Sequence, residues 1–441
     1  GCTNPSYFNY DIEATKDYSS CVDTTAYPLV SIQDVNAFSS NLCAFIKRFF
    51  VSSAWETARG EPLVPIISGL SVKSLSLYCL FMITVLTLLC LSCNILRIKM
   101  SKSLIALGIE SSCDDTAASL IMVKFKKKKI LKTKILSSIV LNQKNLHDKF
   151  GGVVPELAAR AHAEALDVAV ELAIEKANQD LRTLNLICVT SGPGLIGGVM
   201  SGVMFSKALS LGLEKPLVGV NHLAGHALTP RLTDSLNFPY LMLLVSGGHC
   251  QFLIVKGCTD FQRLGGTLDD APGEAFDKTA KILKLGYPGG PIIELFAKKG
   301  DPTRFNLPRP LVNRKDCSLS FSGLKTALRR EYELIEKRNE SLNEQTLSDL
   351  CASFQESVKD ILLAKSEVAM KIFLKKYDLS EKFFAVSGGV AANQYIQENL
   401  RRLATNLGFS FLAPPSELCT DNAAMIAYAG TELYLSNKIN S

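Results

Sequence analysis

Histidine is scarce in this chain, with five residues among 441. No HExxH motif is present, which excludes the common zinc-protease site with its general-base glutamate. Apart from Cys90 and Cys93, which lie inside an apolar run, the 13 cysteines are not spaced as zinc-ribbon or disulfide pairs. The sequence therefore favours a reducing compartment over a secreted, disulfide-stabilised fold.

Charge is also modest. Charged residues make up 20% of the chain and hydrophobic residues 47%, which is typical of a globular protein. The length of 441 residues predicts two or three domains. A net charge of +6 and a pI near 8.6 permit contact with nucleic acid without requiring it.

Residues 1–99 differ from the rest, and residues 1–70 show no periodicity that predicts a fold. Residues 74–96 carry no charge and are long enough to cross a bilayer. Three interpretations compete: a membrane anchor, a targeting segment, and upstream sequence translated ahead of a start at Met100. We favour the third, because a clean globular pattern begins right after Met100. The extension is therefore predicted to lie outside the fold.

Two of the five histidines, His222 and His226, are one helical turn apart. Imidazoles at positions i and i+4 lie on one face of a helix and can bind one metal ion. On spacing alone, ordinary surface or core histidines are the more common explanation. Asp421 precedes a helix of small residues, and its local sequence favours a helix N-cap over a metal ligand. Asp277 lies one turn into a predicted helix, where it could complement the helix dipole or accept two ribose hydroxyls.

Apolar runs at 104–110 and 117–123 flank a polar segment and predict a β-hairpin. Residues 124–134 contain seven lysines, which we interpret as a solvated hairpin tip. Contact with a tRNA backbone is the alternative. Residues 155–178 begin with proline and have the pattern of an amphipathic helix.

Glycine-rich turns recur later in the chain. The strand predicted at 184–190 runs into the segment 191–198 and then a helix, which is typical of an anion-binding turn. The strand at 383–386 enters the segment 387–393 in the same way, and a second hairpin is predicted at 240–255. Two hairpins and two glycine turns in matching order predict a duplicated α/β domain with a nucleotide between the halves. Actin, Hsp70 and the sugar kinases have this two-lobed arrangement.

The motifs, in chain order, are LGIESSCDDT, GGVVPELAARAH, SGPGLIGGVMSG, NHLAGH, LLVSGGH, DDAPGEAFDK, YPGGP, SFSGLKTA, SGGVAAN and CTDNAAM. Together they closely resemble the TsaD family, the tRNA N6-adenosine threonylcarbamoyltransferases once described as O-sialoglycoprotein endopeptidases. The resemblance spans residues 103–430, and SFSGLKTA and ESSCDD favour the bacterial and mitochondrial branch. Residues 1–100 match nothing in the family.

The resemblance implies an actin-like fold of two lobes, with substrate and metal in the cleft. The first lobe is predicted at 100–230, completed by a C-terminal helix at 421–441, and the second at 231–420. The implied reaction moves the threonylcarbamoyl group from threonylcarbamoyl-AMP to N6 of an adenosine in tRNA. That adenosine is the one 3′ of the anticodon, in tRNAs that read codons starting with A.

His222, His226 and Asp421 match the metal ligands of the family. Two imidazoles and a carboxylate suit Fe(II) first and Zn(II) second, with one ion per subunit. The positions that match the family's substrate-binding residues are Leu244, Val245, Ser246, Gly247, Gly248, Asp277, Gly290 and Asn393. The glycine-rich segment would take the phosphate and Asp277 the ribose hydroxyls. Gly290 and Asn393 would flank the adenine.

An exocyclic adenine amine is a poor nucleophile, so positioning and a nearby base should matter. Asp114 and Asp115, in the first hairpin turn, are the candidates for that base or for placement of the tRNA. Bacterial members have Asp-Glu where this chain has Asp-Asp, so the shorter side chain puts the role of Asp115 in question. Cys113 has no histidine beside it in the sequence, and we interpret it as a packing residue.

The resemblance implies tRNA as a partner. A bacterial member would also need a TsaB-like paralogue and a TsaE-like ATPase, whereas a mitochondrial member would be a homodimer. The location would be the bacterial cytoplasm or the mitochondrial matrix, with membrane contact only if residues 74–96 are a true anchor. The helix at 155–178 is the predicted interface, although core packing explains its apolar face equally well.

Three other functions compete with this prediction. An ATPase or small-molecule kinase of the same fold is the main alternative, although neither needs a His-His-Asp metal site. A metalloprotease is disfavoured because HExxH is missing. A non-catalytic interaction subunit has no physical need for the two histidines and the aspartate.

Overall fold

The computed structural model describes residues 102–147, 150, 152–234, 236–337 and 343–436. The predicted N-terminal extension and its hydrophobic segment at 74–96 lie outside the described residues. Apart from Lys102, Ser103 and residues 124–127, the described residues belong to one compact unit.

The first sheet has the strand order β3-β2-β1-β4-β5. Its strands are β1 Lys102–Glu110, β2 Asp115–Lys126, β3 Lys129–Asn142, β4 Leu186–Gly192 and β5 Leu217–Asn221. β4 is parallel to both β1 and β5. The central strands β1 and β4 are buried along most of their length, which explains their nearly continuous apolar sequence.

The second sheet repeats the first, in the order β10-β9-β6-β7-β8. Its strands are β6 Tyr240–Val245, β7 Cys250–Val255, β8 Phe261–Gly266, β9 Phe383–Ser387 and β10 Ser410–Leu412. In both sheets the first three strands are adjacent, and the fourth and fifth then extend the sheet on the other side of the first strand. The predicted fold class is therefore confirmed: a duplicated α/β fold of the actin, Hsp70 and sugar-kinase type.

The helices connect and cover these strands. Those of the first half are α1 Lys144–His147, α2 Pro155–Ala177, α3 Ile196–Leu213 and α4 His222–Asp234. Those that follow are α5 Pro272–Ile282, α6 Gly289–Ala297, α7 Ser322–Lys337, α8 Glu344–Lys376, α9 Gln394–Asn406, α10 Ser416–Cys419 and α11 Ala423–Ser436. The described residues also form two short 3-10 helices, Leu181–Thr183 and Gly389–Ala392.

Around the first sheet, α2 and α3 pack against each other, and α11 packs on β4, β5 and α4. The helix predicted at 155–178 is observed as α2, and Asn178 ends it in the left-handed conformation. Within the described part of the chain, α3 is the one helix long and apolar enough to cross a membrane. It packs against β4 as well as α2, as the core helix of a globular domain does. The predicted lobe boundaries remain predictions.

The core beside the second sheet is built from α5, α6, α7 and α8. Phe276 of α5 and Phe354 of α8 meet edge to face, with ring centroids 5.1 Å apart. The 33-residue helix α8 also packs along α6 and α9. This packing fixes the N-terminal ends of α6 and α9, where Gly290 and Asn393 lie.

Candidate metal centre and substrate cleft

His222, His226 and Asp421 lie together at the contact between α4 and the start of α11. The Nε2 atoms of His222 and His226 are 3.4 and 3.1 Å from the same atom, Oδ1 of Asp421. The two ring centroids are 4.8 Å apart. One ligand atom from each residue lies within 4.8 Å of the others. Two nitrogens and one oxygen that converge in this way can hold one divalent ion.

The N-cap of α11 is Asn422, not Asp421. Oδ1 of Asn422 accepts the backbone N–H of Met425 at 2.9 Å, and its Nδ2 donates to the carbonyl of Thr420 at 2.8 Å. The expectation that Asp421 caps this helix is therefore wrong. Because its neighbour caps the helix, the carboxylate of Asp421 is left to face the two imidazoles.

Buried charges of both signs meet at this cluster. Burial lowers the pKa of His222, but the carboxylates of Glu110 and Asp421 outweigh burial and raise it well above its ordinary value. Burial raises the pKa of Asp421, yet His222 and His226 hold it well below its ordinary value. The cluster therefore favours positive charge at the point where the three ligand atoms meet.

The turn between β1 and β2 is held by the start of α3. The carbonyl of Ser112 accepts the N–H of Leu195 at 2.7 Å, and Ser111 Oγ donates to the carbonyl of Gly198 at 2.9 Å. A Cβ on Gly198 would lie 2.4 Å from the carbonyl oxygen of Ser111. Glycine in this segment is thus explained by close packing. The prediction of an anion-binding turn at 191–198 remains a prediction.

Asp115, one of the two candidate bases, is the first residue of β2. Its Oδ1 accepts a hydrogen bond from Asn142 at 2.7 Å. Burial, then the charges of Asp114 and Asp421, raise the pKa of Asp115 to about 6. Burial, followed by the charge of Asp114, raises the pKa of the Cys113 thiol far above its ordinary value. A thiol that stays protonated supports the interpretation of Cys113 as a packing residue.

The predicted phosphate segment, 244–248, begins as the buried end of β6 and continues as a turn. A Cβ on Gly247 or Gly248 would meet no atom within 4 Å, so this turn borders open space. The turn after β9 approaches it closely. Gly388 there has φ +107°, and a Cβ on it would lie 2.3 Å from the carbonyl oxygen of Val245. The turn at 246–248 therefore leaves room for a ligand, whereas Gly388 of the turn at 387–393 packs against Val245.

Asp277 and Gly290 are brought together where α5 meets α6. The N–H of Gly289 donates to Asp277 Oδ1 at 2.7 Å. Burial raises the pKa of Asp277, whereas the hydrogen bond from Gly289 lowers it. The charge of Asp114 adds to the rise. A Cβ on Gly290 would meet nothing within 4 Å. The charge of Asp114, in the β1–β2 turn, therefore acts on the carboxylate of Asp277, and Gly290 borders open space.

Asn393 caps α9, since its Oδ1 accepts the N–H of Ile396 at 3.0 Å. Its Nδ2 donates to Oε1 of Gln355 at 2.8 Å. A cavity of about 460 Å³ lies next to this pair and is lined by apolar residues such as Ala297 and Ala352 as well as by Gln355, Glu294 and Tyr395. The sequence analysis missed Gln355 and Glu294. Glu294 could have been found, because it lies one turn after Gly290 on the same helix.

Glu110 was also missed. It ends β1 and is 1% exposed, and its carboxylate lies 3.0 Å from Nδ1 of His222. The one signal in the sequence was a charged residue at the end of an otherwise apolar strand. The predicted roles of the other site residues remain predictions.

Comparisons with known proteins agree on one family for this chain. A sequence model of TsaD, tRNA N6-adenosine threonylcarbamoyltransferase, matches residues 134–428. The tRNA N6-adenosine threonylcarbamoyltransferase of Cereibacter sphaeroides is 57% identical over 335 residues, covering 76% of this chain and 90% of the relative. The enzyme of the same name from Ruegeria pomeroyi is 55% identical over 337 residues, covering 76% and 91%.

Solved structures with similar backbones are more distant. HypF from T. kodakarensis has a TM-score of 0.47 at 14% identity, covering 78% of this chain and 49% of HypF. The ROK hexokinase from Thermus thermophilus has a TM-score of 0.37 at 17% identity, covering 76% and 99%.

Proposed function

Because the chain belongs to the TsaD family, and so is a transferase that threonylcarbamoylates N6 of adenosine in tRNA, we propose that its donor is threonylcarbamoyl-AMP. The acceptor is the adenosine 3′ of the anticodon, in tRNAs that read codons starting with A. The amine forms a bond to the carbamoyl carbon, the bond from that carbon to the phosphate oxygen breaks, and AMP leaves. The observation that carries the proposal is the convergence of His222, His226 and Asp421, the last of which also raises the pKa of Asp115 through its charge.

We propose that His222, His226 and Asp421 hold one divalent ion, Fe(II) before Zn(II). The donor set fits either ion, with two nitrogens and one carboxylate oxygen all within 4.8 Å of one another, and leaves positions open for substrate. When bound, the ion supplies a Lewis acid that can polarise a carbonyl. The test is metal content of the full-length protein. We expect about one ion per chain in the wild type and in His147→Ala, and a large loss in His226→Ala; equal content in all three contradicts the centre.

The donor nucleotide is proposed to lie along the second sheet. The open turn at 246–248 would take the phosphate against backbone N–H groups. Asp277 accepts from Gly289 through Oδ1, and a carboxylate has further capacity to accept ribose hydroxyls. Gly290 and Asn393 would flank the adenine; the cavity of about 460 Å³ is lined not by these two residues but by Gln355, the hydrogen-bond partner of Asn393, and by Gln394, which follows it. That volume lies within the range of small-molecule sites.

Asp115 is proposed to accept the proton that the adenine amine loses as it attacks. With a pKa of about 6, most of the Asp115 carboxylate is still ionised near neutral pH. The raised pKa also makes it a stronger base. Asp114 raises that pKa through its charge and lies near enough to Asp277 to affect it as well. This placement favours Asp114 as the residue that helps position the tRNA between the lobes.

A partner surface is proposed on α2 and α3. These helices pack against each other and present a row of exposed apolar side chains: Val168, Leu172, Ile196, Met200 and Met204. Their spacing of four residues puts each set on one helix face. A TsaB-like paralogue, assisted by a TsaE-like ATPase, is the partner in a bacterium, and a second copy of this chain in a mitochondrion.

The partner proposal is tested by size-exclusion chromatography with light scattering. A stable pair with the paralogue, or a homodimer, that Met204→Lys disrupts supports this surface. A monomer that turns over fully without a partner contradicts it. The reaction would take place with tRNA in the bacterial cytoplasm or the mitochondrial matrix. Membrane contact requires residues 74–96 to be an anchor.

The competing function is that of an ATPase or kinase of the same fold. Full-length protein, with metal and partners, is supplied with ATP alone or with threonylcarbamoyl-AMP and unmodified tRNA. We expect modified tRNA only with the donor. Steady ATP hydrolysis without any transfer would favour the competing function.

A further inference from the structure

Glu110 makes three polar contacts although it is almost completely buried. Its Oε1 accepts the backbone N–H of Ser112 at 2.6 Å. Its Oε2 accepts the hydroxyl of Thr190 at 2.5 Å and lies 3.0 Å from Nδ1 of His222. A buried carboxylate is costly unless it is hydrogen-bonded, so all three contacts stabilise it.

The contact between Glu110 and His222 determines which imidazole nitrogen carries a proton. A carboxylate can only accept hydrogen bonds, so Nδ1 of His222 must donate. A neutral ring protonated at Nδ1 has its lone pair on Nε2, the atom 3.4 Å from Oδ1 of Asp421. By contrast, Nδ1 of His226 is buried and has no hydrogen-bond partner in the described part of the chain. Of the two imidazoles, His222 is thus the one whose Nδ1 is held by a hydrogen bond to a carboxylate.

We propose that Glu110 is a positioning residue, which holds the Nδ1–H form of His222 and so sets the affinity of the cluster for a divalent cation. The inference rests on the proposed function, because it requires the metal centre at His222, His226 and Asp421. Loss of such a contact to a metal-binding histidine weakens metal binding by about 10- to 100-fold. Glu110 therefore acts on the metal through His222 and touches no substrate.

Glu110→Gln keeps the shape of the side chain and reverses its hydrogen bonds with His222 and Thr190. The N–H of Ser112 donates and needs an acceptor, so the amide oxygen of the glutamine faces Ser112. Its NH₂ group then faces His222 and Thr190. Because an NH₂ group donates, Nδ1 of His222 must then accept, and the proton moves to Nε2. A neutral imidazole with its proton on Nε2 has no lone pair to offer an ion at the cluster.

Ser112→Ala is the matched control. The hydroxyl of Ser112 also lies near Nδ1 of His222, at 3.2 Å. A hydroxyl can donate or accept, so it fixes neither form of the ring. Its loss removes one contact to the same nitrogen without reversing the proton position.

The experiment measures Zn²⁺ affinity by competition with a chelator, on full-length wild type and both variants, together with the thermal midpoint of each metal-free protein. We expect Glu110→Gln to bind about 10- to 100-fold more weakly, and Ser112→Ala to stay within about threefold of the wild type, with all three folded. Equal affinity in Glu110→Gln and wild type, or equal loss in both variants, overturns the inference alone. Absence of Zn²⁺ binding by the wild type overturns the proposed metal centre as well.

A second measurement covers the case in which Glu110→Gln does not fold. Wild type labelled with ¹⁵N-histidine has five imidazoles to resolve, and His222→Ala identifies the signals of His222. In the zinc-loaded protein we expect His222 to carry its proton on Nδ1 and to bind zinc through Nε2. Zinc on Nδ1 of His222 overturns the inference.

Discussion

Replacing Asp115 with asparagine tests whether its carboxylate is the base. Burial, then the charges of Asp114 and Asp421, raise the pKa of Asp115 to about 6 from an ordinary value near 4. That difference corresponds to about 3 kcal/mol of disfavoured ionisation. The environment thus makes the carboxylate a stronger proton acceptor than an aspartate in water, which suits the removal of a proton from a poor nucleophile.

The sign of the pH dependence follows from the protonation state. A base acts only when it has lost its proton, so kcat/KM of the wild type should rise with pH through about 6 and then level off. Without a bound ion, roughly one tenth of Asp115 is ionised at pH 5, so the rate there should be up to about tenfold below the plateau. A bound divalent ion adds positive charge and moves this rise to lower pH. Asp115→Asn should lose about 10²- to 10⁴-fold in rate and lose the rise as well.

The assay follows threonylcarbamoylation of tRNA over a pH series with saturating metal and partners. Asp114→Asn is the matched control, because removal of its charge lowers the pKa of Asp115 and should shift the rise to lower pH. A near-normal rate in Asp115→Asn, or the same rise with pH, would refute the role of Asp115 as the base.

Three further changes test the framework of the site. Asn422→Ala removes the cap of α11 and should lower the free energy of unfolding by about 1 kcal/mol, measured by urea denaturation; an unchanged midpoint would mean that the cap contributes nothing. Gly388→Ala places a Cβ 2.3 Å from the carbonyl oxygen of Val245, at a residue whose φ is +107°. It should therefore lower the free energy of unfolding by more than about 1 kcal/mol in the same assay. An unchanged free energy of unfolding would contradict the close approach of the two turns. Asp277→Asn should raise KM for threonylcarbamoyl-AMP, measured by steady-state kinetics, because a ribose contact is weakened; an unchanged KM would remove Asp277 from the donor site.

The duplicated architecture could be predicted from the sequence because its signals are local. Each hairpin is two apolar runs around a polar turn, and each helix after a glycine turn begins at a recognisable position. The pairing of His222 with His226 was equally local, since it depends on one helical turn.

Other features depend on contacts between distant parts of the chain. The glycine segments at 191–198 and 246–248 look alike in sequence, yet the first packs on Ser111 and the second borders open space. Asp421 and Asn422 are both good caps, and the structure uses Asn422. The contact of Glu110 with His222 joins residues 112 positions apart, which no local pattern reveals.

The most direct test of the central claim is product formation. Full-length protein is incubated with a divalent ion, threonylcarbamoyl-AMP, unmodified tRNA and the partner proteins, and the modified adenosine is quantified by mass spectrometry. We expect product with the wild type and with His147→Ala, and little with the double variant His222→Ala/His226→Ala. Undiminished product from the double variant would contradict the role of the cluster, and no product from folded wild type with active partners would contradict the proposed reaction itself.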